Sequence, residues 1–244
     1  MIANAIQGIG YFIRGIGLLG KPGIRLYVVI PATINILLFA ALIIFGYSQF
    51  MELVNYLAPS ESSWFSWLRW ILIPIFFVTS LIIVFFTFTL FANLIGAPFN
   101  SLLAAAVEKH LTGSLPQSNS NWKAVLKSLI PIMFAELKKM AYYILITIPF
   151  LILFIIPVVN ILAPFLWMLM IAWVMAVEYT DYPMGNHEVS FAELRRRLKQ
   201  RRLMAFGFGG SVMLAMSIPV VNFFVMPTAV AGATAMAVEK LKSE

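Results

Sequence analysis

Cysteine is absent from the 244 residues, which excludes disulfides, thiolate nucleophiles and cysteine-based metal sites. Histidine occurs twice, as His110 and His187, and neither stands in a zinc-binding spacing such as H-E-x-x-H. His187 lies in a Gly/Asn loop beside Glu188, and both imidazoles read as surface groups. Charge is scarce as well. Asp, Glu, Lys and Arg make up 11% of the chain against 61% hydrophobic residues, whereas a soluble domain carries about 25% charged residues. With mean hydropathy at +0.93, a soluble protein is excluded. No nucleophile with an adjacent base and no acid pair at useful spacing is present, so an enzyme, a metal and a cofactor are not expected.

What is present is organised in long apolar runs. Four blocks contain no Asp, Glu, Lys or Arg: Leu26 to Met51, Trp70 to Val107, Met140 to Val177 and Leu203 to Val238. They occupy more than half of the chain, which leaves room for one membrane domain over 1–244 with a modest polar head. The net charge of +7 and a pI near 9.7 do not point to nucleic acid. The basic residues lie between the apolar blocks, where they set orientation in a bilayer.

The last two blocks contain an internal repeat. Ile156-Pro157-Val158-Val159-Asn160 returns as Ile218-Pro219-Val220-Val221-Asn222, and each copy is followed by a second proline, Pro164 and Pro227. Each copy sits in the middle of its block, so 140–177 and 203–238 read as helical hairpins bent at Pro and Asn. The legs have 17 residues in the first hairpin and 16 in the second, roughly 25 Å at the helical rise and short of a ~30 Å hydrocarbon core. Such legs can end inside the bilayer. A turn at that depth is tolerated only where protein or a wet cavity covers its backbone, and paired proline-broken segments point to a transport path. Two ordinary short transmembrane pairs with apolar turns would produce the same pattern.

Along the chain, Ile2, Ile6, Ile9, Ile13 and Ile16 recur at helical spacing over 1–20, with Arg14 opposite and several glycines at close-packing positions. This predicts a retained interfacial helix. Pro22 opens a long transmembrane helix over 23–50. The segment from Tyr47 to Arg69 carries Glu52 and Glu61, a single basic residue, and Trp64 and Trp67, with Trp70 directly after it, and should face outward. A second long helix spans 70–98, broken toward its end by Gly96 and Pro98. The segments 99–139 and 178–202 form a helical cytoplasmic head, interrupted at Thr112 to Asn121. The second head segment carries the densest basic run, Arg195 to Arg202, and both termini are expected in the cytoplasm.

Lys21-Pro22-Gly23-Ile24-Arg25 places a glycine and a guanidinium at a helix start, where free N–H groups and the dipole favour an oxyanion. By spacing alone, Lys21 and Arg25 equally suit anchors that snorkel to headgroups. Asn100, Asn160 and Asn222, at breaks in the apolar blocks, are candidate pathway residues. Glu108 and Glu178 flank apolar segments, where burial would permit proton exchange, although pairing with a nearby Lys or Arg is the commoner role.

Several motifs in order carry a family resemblance: Pro22-Gly23-Ile24-Arg25, Gly96-Ala97-Pro98-Phe99-Asn100, Asp181-Tyr182-Pro183 with Asn186-His187, and Ile218 to Asn222 with Met226-Pro227 and Gly232-Ala233-Thr234-Ala235-Met236. From about Gly15 to Lys240 the chain resembles the CysZ sulfate permeases of the bacterial inner membrane. The resemblance implies proton-dependent sulfate uptake for cysteine synthesis, although a channel-like route is also argued for the fold. It further implies an all-α membrane protein with two long transmembrane helices and partly penetrating hairpins, assembled as a homo-oligomer among membrane lipids. The family's sulfate-binding motif falls on Gly23, Ile24 and Arg25. Many relatives carry a second arginine where this chain has Leu26 and an acidic residue where it has Ser101, so a single guanidinium remains and backbone N–H groups must do more. A less selective anion channel and a non-transporting membrane scaffold are the competing expectations.

Overall fold

The structure is a computed structural model that describes residues 2–57, 66–114 and 122–241. Every regular element among the described residues is helical. In order these are α1 (Ile2–Leu19), α2 (Leu26–Leu57), α3 (Ser66–Thr112), α4 (Trp122–Ile155), a 3₁₀ turn (Val159–Ile161), α5 (Ala163–Gly185), α6 (Phe191–Gln200), α7 (Arg202–Met216), α8 (Pro219–Met236) and a π-helical turn (Ala237–Leu241). Among the described residues, four stretches are long and apolar enough to cross a membrane: Leu26–Glu52, Leu137–Ile155, Ala163–Gly185 and Val221–Leu241. The all-α membrane protein expected from the sequence is what the chain forms.

The chain divides into two compact units, one of residues 26–99 and one of 1–25 with 100–244. In the first, α2 presents Ile36, Leu37, Ile44 and Phe45 outward, as a helix in contact with lipid would, and Phe50 of α2 stacks on Phe76 of α3. The expected break at Gly96 and Pro98 does not form. α3 runs without interruption through both residues to Thr112, and the division between the units falls within it. A proline removes a single N–H and kinks a helix without ending it when the surroundings hold the remainder. Beyond Asn100 the same helix shows a buried stripe, Leu103, Ala104, Val107 and Glu108. Glu61 and Trp64 of the expected outer segment, and residues 115–121 of the expected break, lie outside the described residues.

In the second unit, α1, α5, α7 and α8 form the core, and glycines allow their backbones to meet. A Cβ on Gly209 of α7 would lie 1.8 Å from the Ala172 carbonyl oxygen of α5; one on Gly15 of α1 would lie 2.2 Å from the Thr228 carbonyl oxygen of α8. Approach this close is open only to residues without a side chain. α1 is therefore part of the core. Gly8, Tyr11, Phe12, Gly15 and Leu18 are buried, while Ile6, Ile9, Ile13 and Ile16 point outward at 42–60% exposure.

The two hairpins differ in their legs. α4 and α5 both extend beyond the charge-free block, and each contains a span long enough for a membrane. In the second hairpin α7 has 15 residues, roughly 22 Å, against a 21-residue span that runs along α8 and through the π-helical turn. α6 links the hairpins. Its N-cap Ser190 accepts from the Glu193 N–H at 3.3 Å, and its apolar side buries Leu194 and Leu198.

Candidate functional site

The expected anion site lies in the turn between α1 and α2. The N–H groups of Ile24 and Arg25 both donate to the Lys21 carbonyl, at 3.1 and 3.2 Å, which closes the turn. Gly23 holds φ +85°, a conformation that disfavours any side chain, and a Cβ there would meet open space. Glycine is thus needed here for backbone geometry and not for room. Ile24 is buried at 1% exposure and pins the turn to its unit, whereas Gly23 and Arg25 are exposed. α2 begins at Leu26, a few residues later than the spacing predicted. Among the described residues Arg25 makes no ion pair, so its guanidinium is available to a ligand.

A second constellation joins the end of α3 to the loop after α5. Glu108 is 5% exposed, and its carboxylate lies 2.9 and 3.0 Å from Nε2 of His187. Next to this pair, Nδ2 of Asn186 donates to the Ser101 carbonyl at 2.8 Å. Asn100 is 6% exposed, and its Nδ2 has no hydrogen-bond partner among the described residues. A buried amide nitrogen without a partner carries a desolvation penalty. The structure thus places Asn100 and Glu108 on one buried stretch of α3, where His187 bonds Glu108 and Asn186 bonds the Ser101 carbonyl. His110 is exposed, as expected of a surface histidine; His187 is half-buried and paired to a buried carboxylate. That pairing joins residues 79 positions apart and leaves no local trace in the sequence.

Glu178, the other expected candidate, takes the commoner role. It accepts from Tyr143 Oη at 2.8 Å and pairs with Lys139 at 3.2 Å, while Lys139 also reaches Asp181 at 2.9 Å. Asn160 and Asn222 stand exposed at the two hairpin tips. Each donates its N–H to the Ile that opens its own copy of the repeat, at 3.0 and 2.9 Å, so the pentapeptide keeps one local bond in both places.

The basic run on α6 is partly engaged within the fold. Arg196 and Arg197 both bond Glu193 at 2.8 Å and hold its carboxyl down to about 2, and Arg197 also donates to the Leu241 carbonyl at 2.8 Å. Arg195 lies over the Tyr142 ring, 4.2 Å from its centre. Among the described residues no group of three or more His, Asp or Glu side chains converges on a point where a metal could sit.

The sequence matches the family described as Sulfate transporter CysZ/Etoposide-induced protein 2.4 over residues 11–227. It is 43% identical to a Pseudomonas aeruginosa (strain LESB58) protein named Sulfate transporter CysZ, over 94% of both chains. Proteins of the same name from Pseudomonas fluorescens (strain Pf0-1) and Vibrio cholerae serotype O1 (strain M66-2) are 42% and 38% identical, covering 96% and 100% of this chain and 94% and 98% of theirs. With the order of its motifs, its helical fold and this end-to-end identity in agreement, the chain belongs to the CysZ/Etoposide-induced protein 2.4 family.

Proposed function

We propose that this protein carries sulfate across the bacterial inner membrane into the cytoplasm, in a proton-dependent uptake that supplies sulfur for cysteine synthesis. The observation that carries this reading is an exposed guanidinium, Arg25, beside a glycine turn at the start of a candidate membrane span. It stands in a chain 43% identical, over 94% of its length, to a protein named for sulfate transport. A planar guanidinium meets two sulfate oxygens with two parallel N–H donors, a geometry that lysine cannot reproduce. Gly23 and Ile24 shape the backbone beside it. The relatives bear transporter names, and the sequence lacks the groups that catalysis would need.

In this reading the hairpins line a path between protomers of a homo-oligomer, with Asn160 and Asn222 on the path. The apolar tips of the single chain support it: Ile155, Val158 and Phe223 are each about 80% exposed, and oligomer contacts or lipid would cover them. Glu108, paired with a titratable imidazole and set near Asn100, is the candidate for proton coupling. α1 lies at the bilayer surface, and both termini face the cytoplasm.

Proteoliposomes that contain only the purified protein test the reading. Sulfate uptake should rise with an inward proton gradient and fall in Arg25→Ala. Chloride or phosphate passing as readily as sulfate, without a gradient, would replace the transporter with a less selective channel. No flux at all would favour a scaffold.

A further inference from the structure

At its end the chain departs from α-helical geometry. α8 gives way to a π-helical turn over Ala237–Leu241, a rare form that re-aims the side chains it carries. Glu239 thereby meets α1, where Tyr11 Oη donates to one carboxylate oxygen at 2.9 Å and Arg14 Nη1 donates to the other. From α6, Arg197 holds the Leu241 carbonyl. Burial, followed by the bond to Glu239, pushes the Tyr11 hydroxyl up to about 12, so it remains a donor at physiological pH.

This clamp encloses an open basin of about 270 Å³, lined by Gln7, Gly10, Tyr11, Arg14, Glu239 and Lys240. The donors and acceptors in it are unequal. The one carboxylate, Glu239, accepts from Tyr11 and Arg14 and is set against two cations, Arg14 and Lys240, so the basin keeps a net positive charge. Arg14 uses Nη1 alone for that pair, is 42% exposed and lines the basin, so it keeps further guanidinium donors for a ligand there. Lys240 makes no ion pair among the described residues, and the Gln7 amide adds further donors. At Gly10 a Cβ would meet open space, so the floor there is clear. What remains is a set of cationic and amide donors seeking an oxyanion.

Its position narrows the choice. Gln7, Gly10 and Arg14 recur at i, i+3 and i+7 along α1 and form a strip between two others. On one side lies the buried face of Gly8, Tyr11 and Gly15; on the other lies the outward stripe of Ile6, Ile9, Ile13 and Ile16. A cationic basin bordering a row of exposed isoleucines matches a molecule with a phosphate at one end and hydrocarbon at the other. We propose that this basin binds the phosphodiester headgroup of an anionic phospholipid, whose acyl chains lie along the isoleucine stripe of α1. The lipid would then staple the chain's two ends together against the bilayer, since the basin is built from α1 and the final turn. The inference rests on α1 lying at the bilayer surface and is independent of sulfate.

Native mass spectrometry of the purified full chain, with phosphatidylglycerol or phosphatidylcholine added in detergent, tests it. The wild type should retain phosphatidylglycerol in preference to phosphatidylcholine. Lys240→Gln should lower that preference about fivefold, the effect of one cation beside an anionic headgroup. Gly10→Leu should abolish it by filling the basin while leaving the unfolding temperature in phosphatidylcholine unchanged, and this keeps the test valid if Arg14→Gln loosens the clamp and unfolds the protein. Equal retention of the two lipids, or a preference unaltered in Lys240→Gln and Gly10→Leu, would overturn the proposal. Competition by millimolar inorganic phosphate as effective as that by phosphatidylglycerol would also overturn it, as it would show a free-anion site.

Discussion

The two copies of Ile-Pro-Val-Val-Asn fold differently. In the first hairpin α4 stops at Ile155, Val158 takes φ +72°, a 3₁₀ turn comes next, and α5 starts only at Ala163 with Pro164 in its first turn. In the second, α7 stops at Met216, Ile218 is extended, and α8 starts within the repeat at Pro219. The same five residues thus make a long strained turn once and a short relaxed one once. The difference lies in the second proline of each copy and in the packing around it. Proline suits a first turn, so Pro164 favours a fresh start near 163, whereas Pro227 sits inside α8 and is carried through. Immediately beyond Pro227, Thr228 and Gly232 pack backbone to backbone on α1, and this packing holds the helix in spite of its missing N–H. The second hairpin is fixed by close helix contact. The first is tied at its base by polar groups: Lys139, Tyr143, Glu178 and Asp181, with Asn186 and His187 beyond.

The largest expected effect tests the close contact. Gly209→Ala places a methyl 1.8 Å from a backbone oxygen and should cost about 3 kcal/mol or more, read as a lowered unfolding temperature in detergent. At Gly210, where a Cβ meets open space, the same change should stabilise α7 by about 0.5–1 kcal/mol. Equal responses at the two positions would remove the packing account.

On the polar side, His187→Ala deletes a hydrogen bond to buried Glu108 and should cost roughly 1–3 kcal/mol. Hydrogen exchange should show the loosening at the end of α3 and around Asn186, with α8 unaffected. Spread of the effect into α8 would mean that the hairpins are not held by separate means.

The repeat allows a test with opposite signs. Val158→Gly removes a β-branched side chain from a positive-φ position and should stabilise by about 1 kcal/mol. Val220→Gly, at the matching position of the second copy, puts glycine into the first turn of a helix and should destabilise by up to about 1 kcal/mol. Same-sign changes in unfolding temperature would show that the two turns are alike.

The smallest effect concerns α6, which joins the hairpins. The Glu193 carboxyl is lowered from 4.5 to about 2 by its bonds to Arg196 and Arg197. A lowered native value stabilises α6 above the unfolded value, and the contribution fades as pH falls from about 4.5 toward 2. The protection of the α6 amides, taken relative to their intrinsic exchange rate at each pH, should therefore fall over that window, and Glu193→Gln should remove that pH dependence.

Much of this architecture was legible in the sequence. Charge-free blocks and 3.6-residue periodicity mark helices in lipid because they depend only on local composition, and the repeat marked both bends. The continuity of α3 was not legible, since Gly96 and Pro98 are helix breakers by intrinsic preference, yet the helix carries both. The two sides of α1 were separable, yet the isoleucines that define its period face outward while the glycines and aromatics make the core contact. Within the candidate site, Gly23 and Arg25 could be read from a short motif. The Glu108–His187 pair could not, because it arises from the fold and from no spacing along the chain.

The central claim is that Arg25 in its glycine turn is the sulfate-capturing group, and calorimetric titration of sulfate into the purified protein tests it most directly. Arg25→Ala should weaken binding by about tenfold or more, with Arg25→Lys intermediate because a point charge replaces a planar fork. Undiminished affinity in the alanine variant would contradict the account.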